Sequence, residues 1–204
     1  SEEKASESPQ GSTMIAKEDI TGLILAGGAG RRVGGTDKGL LAWQGLPLVE
    51  HVLNRLTPQV GPVIISCNRN CEIYAAYNVL IVTDERPDFQ GPLAGLQAAA
   101  PLIETSFLVV APCDTPSLPE NLVEKLLLPL NSNGKCSADI AYVWDGCREQ
   151  FLCAALRTIV LDDLQDYMAG GGRAVRHWYG RHACVCVDFS DQPESFQNLN
   201  RLEA

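Results

Sequence analysis

One segment of the chain combines bare backbone with positive charge. Six glycines lie between residues 27 and 39, together with the cations Arg31, Arg32 and Lys38. Glycine lets main-chain N–H groups approach a ligand closely, and a concave row of such groups binds anions. The cations add the full positive charge that a phosphate chain needs and that a structural turn does not. The segment therefore predicts a phosphate-binding loop.

Two better-known phosphate-binding patterns do not match this segment. The dinucleotide-binding pattern G-x-G-x-x-G places its third glycine where the chain has Val33. In a P-loop the lysine follows a glycine and precedes a hydroxyl residue, whereas Lys38 lies between Asp37 and Gly39. A purely structural loop is the other alternative. It is disfavoured because clustered cations beside bare backbone are costly without an anion.

Two aspartates that follow apolar runs are candidates for chemistry on phosphates. Asp114 comes after the apolar residues 107–110, and Asp84 follows the run 79–82. Taken alone, Asp114 is typical of a turn and Asp84 of a solvated loop. Mg²⁺, however, accompanies triphosphates and takes one or two carboxylates in addition to phosphate oxygens. Beside a phosphate-binding loop, Asp114 is therefore the predicted metal ligand.

Short strands alternate with helices along the chain. Apolar, β-branched runs predict strands at residues 20–26, 62–66, 79–82, 107–111, 139–143 and 183–187. Apolar residues spaced by about 3.6 positions predict helices at residues 48–56, 93–102, 118–128 and 159–168. This alternation predicts an α/β fold with helices on both faces of a mostly parallel sheet. Ligands bind beyond the carboxyl ends of such strands, so the glycine-rich loop, Asp84 and Asp114 should converge on one edge.

Length and composition limit the architecture. A chain of 204 residues with 46% hydrophobic residues suffices for one domain with a sizeable core. Residues 1–17, rich in Ser, Glu and Lys, predict a disordered tail, and residues 18–204 predict a single domain. No apolar stretch approaches the ~20 residues that span a bilayer, and no secretion signal opens the chain. We therefore expect no membrane partner and a cytoplasmic location.

Net charge and cysteine spacing argue against two further classes. The formal net charge of −9 disfavours a nucleic acid partner, whose binding needs a basic face. It also implies that the few cations are concentrated where a small phosphorylated ligand binds. The eight cysteines form no C-x-x-C pair. They are predicted to be reduced thiols, several of them buried, rather than zinc ligands.

The glycine-rich segment resembles a known signature. Residues 25–39 read L-A-G-G-x-x-x-R-x-G-G-x-D-K-G, which is similar to the signature of nucleotidyltransferases with a Rossmann-like, three-layer α/β fold. Among these, the segment looks closest to the molybdenum cofactor guanylyltransferases. Further matches follow in the family's order at Asp84, residues 91–95, residues 112–116 and the pair Asn198 and Asn200. Together they extend the resemblance over roughly residues 20–202.

The resemblance implies a reaction and its participants. Members of this family transfer GMP from GTP to the terminal phosphate of molybdenum-molybdopterin, releasing pyrophosphate and forming the guanine dinucleotide form of the cofactor. Mg²⁺ is the implied cofactor, and transient contacts with proteins that deliver or accept the molybdenum cofactor are implied as well. Two alternatives stay open. One is a relative that uses CTP or acts on a sugar phosphate, and the other is a nucleotide-binding module without catalysis.

The resemblance also assigns roles to single residues. Catalytic roles fall to Arg32, Lys38 and Asp114, with Asp114 holding the metal. Nucleotide-side substrate contacts fall to Leu25, Ala26, Gly27, Gly28, Lys38, Asn68, Asp84 and Asp114. Pterin-side contacts fall to Arg173, Asn198 and Asn200.

Two positions bear on specificity. Gly27 favours guanine, because cytidylyl relatives tend to carry alanine there and the missing methyl permits closer approach of a larger base. The chain departs from the family on the pterin side, where Gln150 and Phe151 replace the usual His-Pro pair.

Glycines 170–172, just before Arg173, are most simply the end of a helix.

Overall fold

The computed structural model describes residues 14–27, 37–84, 91–131 and 137–199. The strands in these ranges are β1 (Ile20–Leu25), β2 (Ala42–Trp43), β3 (Leu46–Pro47), β4 (Val63–Ser66), β5 (Leu80–Val82), β6 (Phe107–Pro112), β7 (Ile140–Trp144), β8 (Glu149–Arg157) and β9 (Cys184–Asp188). The α-helices there are α1 (Leu48–Leu56), α2 (Cys71–Ala75), α3 (Pro92–Ala99), α4 (Leu122–Leu127), α5 (Leu164–Ala169) and α6 (Val175–Tyr179).

Most of the strands form one sheet with a switch in its winding direction. Seven strands pair in the order β5-β4-β1-β6-β8-β7-β9, and β2 and β3 form a separate small hairpin. The strands β5, β4, β1 and β6 are parallel, whereas β8 is antiparallel to both of its neighbours. The predicted mostly parallel sheet is confirmed. From β1 the chain winds outward to β4 and β5 and then returns to the other side of β1 with β6. Such a switch point opens a crevice at the carboxyl edge of the sheet.

Alternating strand residues face two separate apolar layers. In β1, Ile20 and Ile24 pack in one core cluster with α1 and α4, whereas Leu23 packs in the other with α3, α5 and α6. Both layers bury leucines completely, such as Leu56 and Leu96. Burial of one such side chain contributes about 1.5–3 kcal/mol. Helices therefore cover both faces of the sheet, and the predicted three-layer α/β fold is confirmed.

The predicted elements are present, but three helices are shorter than expected. All six predicted strands occur within one residue of their expected bounds, and α1 begins and ends as predicted. The helix predicted over residues 93–102 ends earlier, because a 3₁₀ turn takes over at Pro101, whose ring removes a backbone donor. The helix over 118–128 likewise gives way to a 3₁₀ turn at Pro129. Residues 158–163 form 3₁₀ helix before α5 begins.

Strand β8 is the most consequential element that the sequence did not predict. Its residues, EQFLCAALR, include no valine, isoleucine or threonine, so no β-branched run marks it as a strand. It lies between β6 and β7 in the middle of the sheet. Because β8 is antiparallel to β6, its first residues lie at the edge where the parallel strands end. The hairpin of β2 and β3 and the helices α2 and α6 were also not predicted.

The remaining predictions concern the ends of elements. Helix α5 ends at Ala169 with Gly170 as its C-cap, and Gly171 has a φ of +92°, so the predicted helix stop is confirmed. Most of the predicted tail over residues 1–17 lies outside the described residues, and the domain boundary stays a prediction. None of the helices in the described ranges is long and apolar enough to cross a membrane.

Candidate active site

A cleft of about 660 Å³ lies at the switch point between β1 and β6. Its lining includes the predicted residues Leu25, Ala26, Gly27, Lys38, Asn68, Asp84, Asp114 and Asn198. The segments that follow β1, β4, β5 and β6 therefore converge on one edge of the sheet, as predicted. The predicted residues Gly28, Arg32 and Asn200 lie outside the described residues.

The cleft has two sides, separated by Lys38 and Asp114. We call the part formed by Gly27, Asn68, Arg69 and Asp84 the β5 side. We call the part formed by Gln150, Phe151, Leu152 and Asn198 the β8 side. Arg69 is exposed and also lines the cleft.

Asp37 anchors the segment that carries Lys38. Its carboxylate accepts hydrogen bonds from the backbone N–H of Gly39 (3.1 Å), the hydroxyl of Tyr74 (2.7 Å) and Nδ2 of Asn70 (3.2 Å). Tyr74 is fully buried, and burial and the adjacent Asp37 raise its pKa, so the hydroxyl remains a donor. A Cβ on Gly39 would collide with this hydroxyl. The D-K-G sequence thus consists of an anchor, a cation and a residue small enough to lie against Tyr74.

Lys38 and Asp114 face each other across the switch point. Lys38 Nζ lies 3.6 Å from Asp114 Oδ2, and the two side chains are 31% and 13% exposed. They follow β1 and β6, which are adjacent parallel strands, and this explains why residues so distant in sequence meet. The neighbouring Cys113 is buried, and burial together with the Asp114 carboxylate raises the pKa of its thiol. The pair of Lys38 and Asp114 therefore adjoins a buried thiol that stays uncharged.

A segment beyond β9 completes the centre of the cleft. Thr115 is buried, and its hydroxyl donates a 2.9 Å hydrogen bond to Oδ1 of Asn198. The backbone N–H of Leu199 donates to the carbonyl of Asp114 at 3.2 Å. These contacts hold Asn198 at the cleft, next to the candidate metal ligand.

Asn68 joins the strand ends on the β5 side. Its Nδ2 donates to the carbonyl of Gly27 (3.3 Å), and its Oδ1 accepts from the backbone N–H of Asp84 (3.1 Å). The segments after β1, β4 and β5 are thus linked through one carboxamide. Asn68 and Asp84, both predicted to contact the nucleotide, are therefore positioned together.

Gly27 has a structural reason to be small that the sequence did not indicate. A Cβ at this position would lie 3.3 Å from the backbone N of Asn68 and from Cα of Cys67, so it would press on the end of β4. The expectation that an added methyl would meet the nucleobase stays a prediction, but the methyl would first meet the chain itself. Gly27 is also not among the residues with positive φ.

The first turn of α3 closes this side of the cleft. Gly91, at φ +146°, precedes the helix, and Pro92 is its first residue. A Cβ on Gly95 would lie 2.8 Å from Ser66 Oγ and 2.9 Å from Leu25 Cδ2. The absence of a side chain at Gly95 therefore lets the helix approach the strand ends. Backbone N–H groups at such a helix start favour phosphate.

The β8 side contains residues that the sequence reasoning assigned to no site. Gln150 Nε2 donates to Oδ2 of the buried Asp145 at 2.7 Å. Burial alone would raise the pKa of Asp145, but this bond and two backbone N–H bonds hold it below its usual value. The signal available in the sequence was the departure from the family's His-Pro pair, which falls on Gln150 and Phe151.

Arg173 makes contacts at the end of a helix. It is absent from the described lining of the cleft, and its guanidinium donates to the carbonyls of Met168 (2.8 Å) and Gly172 (2.6 Å). An arginine placed just after a helix binds the unpaired carbonyls of the last turn. These contacts are typical of a helix-end residue, and a role of Arg173 on the pterin side stays a prediction.

The cysteines within the described residues carry free thiols. Cys67 and Cys71 are neighbours, with their sulfur atoms 3.3 Å apart. Burial and the contact with Cys71 raise the pKa of Cys67 to about 12. Together with the buried Cys113 and Cys153, Cys67 therefore packs as a small apolar residue, as predicted.

Comparison with known proteins defines the class of this site. Residues 22–185 match the family model described as the MobA-like NTP transferase domain. Molybdopterin-guanine dinucleotide biosynthesis protein A from Archaeoglobus fulgidus shares the fold, with a TM-score of 0.71 and 24% identity over 88% of this chain and 92% of its own. The chain belongs to the MobA-like NTP transferases and is a nucleotidyltransferase.

Relatives within this class are more specific. The molybdenum cofactor guanylyltransferase of Cupriavidus pinatubonensis is 44% identical over 192 residues, which cover 93% of this chain and 96% of the relative. That of Shewanella sediminis is 41% identical over 184 residues, covering 90% and 92%. The resemblance predicted from the motifs is confirmed.

Proposed function

We propose that the enzyme transfers GMP from GTP to the terminal phosphate of molybdenum-molybdopterin, releasing pyrophosphate and forming the guanine dinucleotide form of the cofactor. The observation that carries this proposal is the position of Lys38 and Asp114, 3.6 Å apart, between two sides of one cleft. The names of relatives that are 41% and 44% identical support the choice of guanine nucleotide and cofactor. They disfavour a CTP-dependent, sugar-phosphate or non-catalytic alternative.

This reaction requires charge neutralisation rather than a general base. The attacking phosphate of the acceptor is already an anion, so no side chain has to remove a proton from it. Negative charge shifts onto the pyrophosphate as it leaves, and a fixed ammonium group nearby stabilises that charge. Lys38 is the described cation best placed for this task. Arg32 stays a prediction for a second cation.

Asp114 fits the predicted Mg²⁺. Magnesium is usually held by one or two carboxylates plus substrate phosphates rather than by an all-protein cage. The Asp114 carboxylate is 13% exposed at the centre of the cleft, and no group of three or more metal-binding side chains occurs among the described residues. A bound Mg²⁺ would neutralise charge on the phosphates. Lys38, whose ion pair with Asp114 is only partly buried, can turn toward the triphosphate.

The two sides of the cleft suit the two substrates. We assign GTP to the β5 side, because it includes Gly27 at the start of the glycine-rich segment and is closed by the first turn of α3. The acceptor then occupies the β8 side, with Asn198 between them. Holding two mutually repelling anions in line supplies much of the acceleration in such reactions. A cytoplasmic location and contacts with other proteins of the cofactor pathway stay predictions.

Isotope transfer tests the proposal directly. The protein is incubated with Mg²⁺, molybdenum-molybdopterin and GTP labelled in the α-phosphate. We expect the label in a dinucleotide, with one pyrophosphate released for each transfer. GTP labelled in the γ-phosphate is the control and should label pyrophosphate alone. A failure to label the dinucleotide, or faster transfer from CTP or ATP, would overturn the proposal.

A further inference from the structure

We propose that Gln150, oriented by Asp145, recognises the cyclic amide edge of the acceptor's pterin ring, with Phe151 as the wall beside that ring. The inference rests on the proposed function, since the β8 side holds the acceptor only if the β5 side holds GTP. Gln150 and Phe151 line the cleft at the start of β8. That strand adjoins β6, which leads to Asp114, whereas Asn68 and Asp84 lie beyond β1.

The contact with Asp145 determines how the Gln150 carboxamide is oriented. An ionised carboxylate only accepts hydrogen bonds, so the end of the carboxamide that faces Asp145 Oδ2 must be its nitrogen. Within the described residues this is the one hydrogen bond that the Gln150 side chain makes. Its Oε1 and its second N–H therefore remain for a ligand. An acceptor next to a donor complements the adjacent N–H and C=O of a cyclic amide, which a pterin carries.

The two oxygens of Asp145 have separate tasks. Oδ1 accepts from the backbone N–H groups of Cys147 and Arg148, each at 2.8 Å, and so holds the turn before β8. Gly146, at φ +99°, allows that turn. Oδ2 takes no part in the turn and accepts from Gln150 instead. Asp145 is therefore a positioning residue, buried and kept ionised to hold one carboxamide.

Phe151 is held equally firmly. Its ring centroid lies 5.0 Å from that of Tyr142 and 6.3 Å from that of Tyr179. The hydroxyl of Tyr179 donates to the carbonyl of Phe151 at 2.7 Å, which also fixes the backbone. A rigid aromatic surface beside an oriented carboxamide suits a flat heterocycle with polar edges.

Substitutions of Gln150 separate acceptor binding from nucleotide binding. In Gln150→Leu, we expect the KM for molybdenum-molybdopterin and its Kd, measured by titration without GTP, to rise about tenfold. The KM for GTP should stay within about twofold. Gln165→Leu, an exposed glutamine on α5, is the matched control and should change neither value. An unchanged acceptor Kd, or an equal rise for GTP, would overturn the inference.

Asp145→Asn tests the positioning role. Asparagine keeps the oxygen that holds the turn but presents an N–H to Gln150, whose carboxamide must then turn around. We expect a rise in the acceptor Kd similar to that of Gln150→Leu, with little change in Tm. The double variant should be no weaker than Gln150→Leu alone, since both changes remove one arrangement. The positioning role would be contradicted if the losses of acceptor affinity in the two single variants added up in the double variant. It would also be contradicted if the Tm of Asp145→Asn fell strongly while its acceptor Kd stayed normal.

The design distinguishes the two proposals. Failure of GMP transfer by the unmodified protein counts against the proposed function, whereas the acceptor titrations report on Gln150 regardless of turnover. Binding of molybdenum-molybdopterin that is indifferent to Gln150 and Asp145 would contradict the inference even if transfer is normal.

Discussion

The two sides of the cleft are held in place by different kinds of contact. On the β5 side, Asn68 links Gly27 and Asp84, and so joins the ends of three neighbouring strands of the parallel sheet. On the β8 side, Asn198 reaches Thr115 across 83 residues, and Gln150 depends on a carboxylate in the preceding turn. The β5 side is therefore formed by the ends of adjacent parallel strands. The β8 side depends instead on the turn before β8 and on the segment after β9. In the proposed assignment, the fold itself provides the donor site, and the added segments determine which acceptor binds.

Asp114 lies between the two sides, so its loss should disable both together. We expect Asp114→Ala to lower GMP transfer at least about 100-fold, since loss of one electrostatic group at a reacting centre costs about 2.7–4 kcal/mol. The fold should survive, because Leu199 binds the backbone carbonyl of this residue. Pyrophosphate release in Mg²⁺ and the Tm are the measurements. Asp191→Ala, an exposed carboxylate, is the control. Near-normal turnover at an unchanged Tm would remove Asp114 from the mechanism.

Lys38→Ala should affect one substrate more than the other. We expect weaker GTP binding and a rate lower by about 10–100-fold, because the ammonium group stabilises the phosphates of the donor. The Kd for molybdenum-molybdopterin should change little. Lys17→Ala, on an exposed 3₁₀ turn, provides the matched control. Equal weakening of donor and acceptor would contradict the division into two sides.

Gly39→Ala tests whether Asp37 and Tyr74 hold the lysine segment. The added methyl should displace the Tyr74 hydroxyl from Asp37, lowering the free energy of unfolding by about 1–3 kcal/mol and raising the KM for GTP. Urea denaturation and GTP kinetics provide the measurements. Tyr74→Phe removes the obstructing hydroxyl, so the double variant should be more stable than the sum of the single effects predicts. Simple additivity would show that the two residues are not coupled.

Gly27→Ala should have the smallest effect. The sequence suggested that this change would shift preference from GTP toward CTP, but the added methyl faces Cys67 and Asn68. We therefore expect both nucleotides to be weakened together by a few-fold, through movement of Asn68, with their ratio kept within about twofold. A pocket methyl that touched the base would discriminate by about 1–3 kcal/mol. A tenfold change in the ratio of GTP to CTP use at a normal Tm would instead support a direct contact between this position and the base.

The β5 side could be predicted because each of its parts is marked locally in the sequence. Each strand is followed within a few positions by a glycine or an aspartate. The carboxyl ends of parallel strands lie at the same edge of a sheet, and this brings those residues together. Asp37 was part of the matched signature, yet its role as an anchor needed Tyr74, which no local pattern connects to it. The signature could therefore be recognised in the sequence without showing that Asp37 anchors the lysine segment.

The β8 side was largely hidden for physical reasons. Strand β8 contains no β-branched residue and becomes a strand because it is enclosed between β6 and β7, which is a tertiary effect. Without β8, nothing placed Gln150 at the cleft. Arg173 was assigned to the pterin side, but the carbonyls at the end of α5 bind its guanidinium. Asn198 was placed through the resemblance alone.

The hydrogen bond between Thr115 and Asn198 also has a consequence for how the enzyme is made. A chain emerges from the ribosome with its N-terminal part first. A nascent chain that extends just past β6 already contains Lys38 and Asp114, but Asn198 follows Thr115 by 83 residues. The β5 side can thus form early in translation, while the contact at the centre of the cleft must await a segment synthesised after β9. The centre of the cleft is therefore completed late in translation.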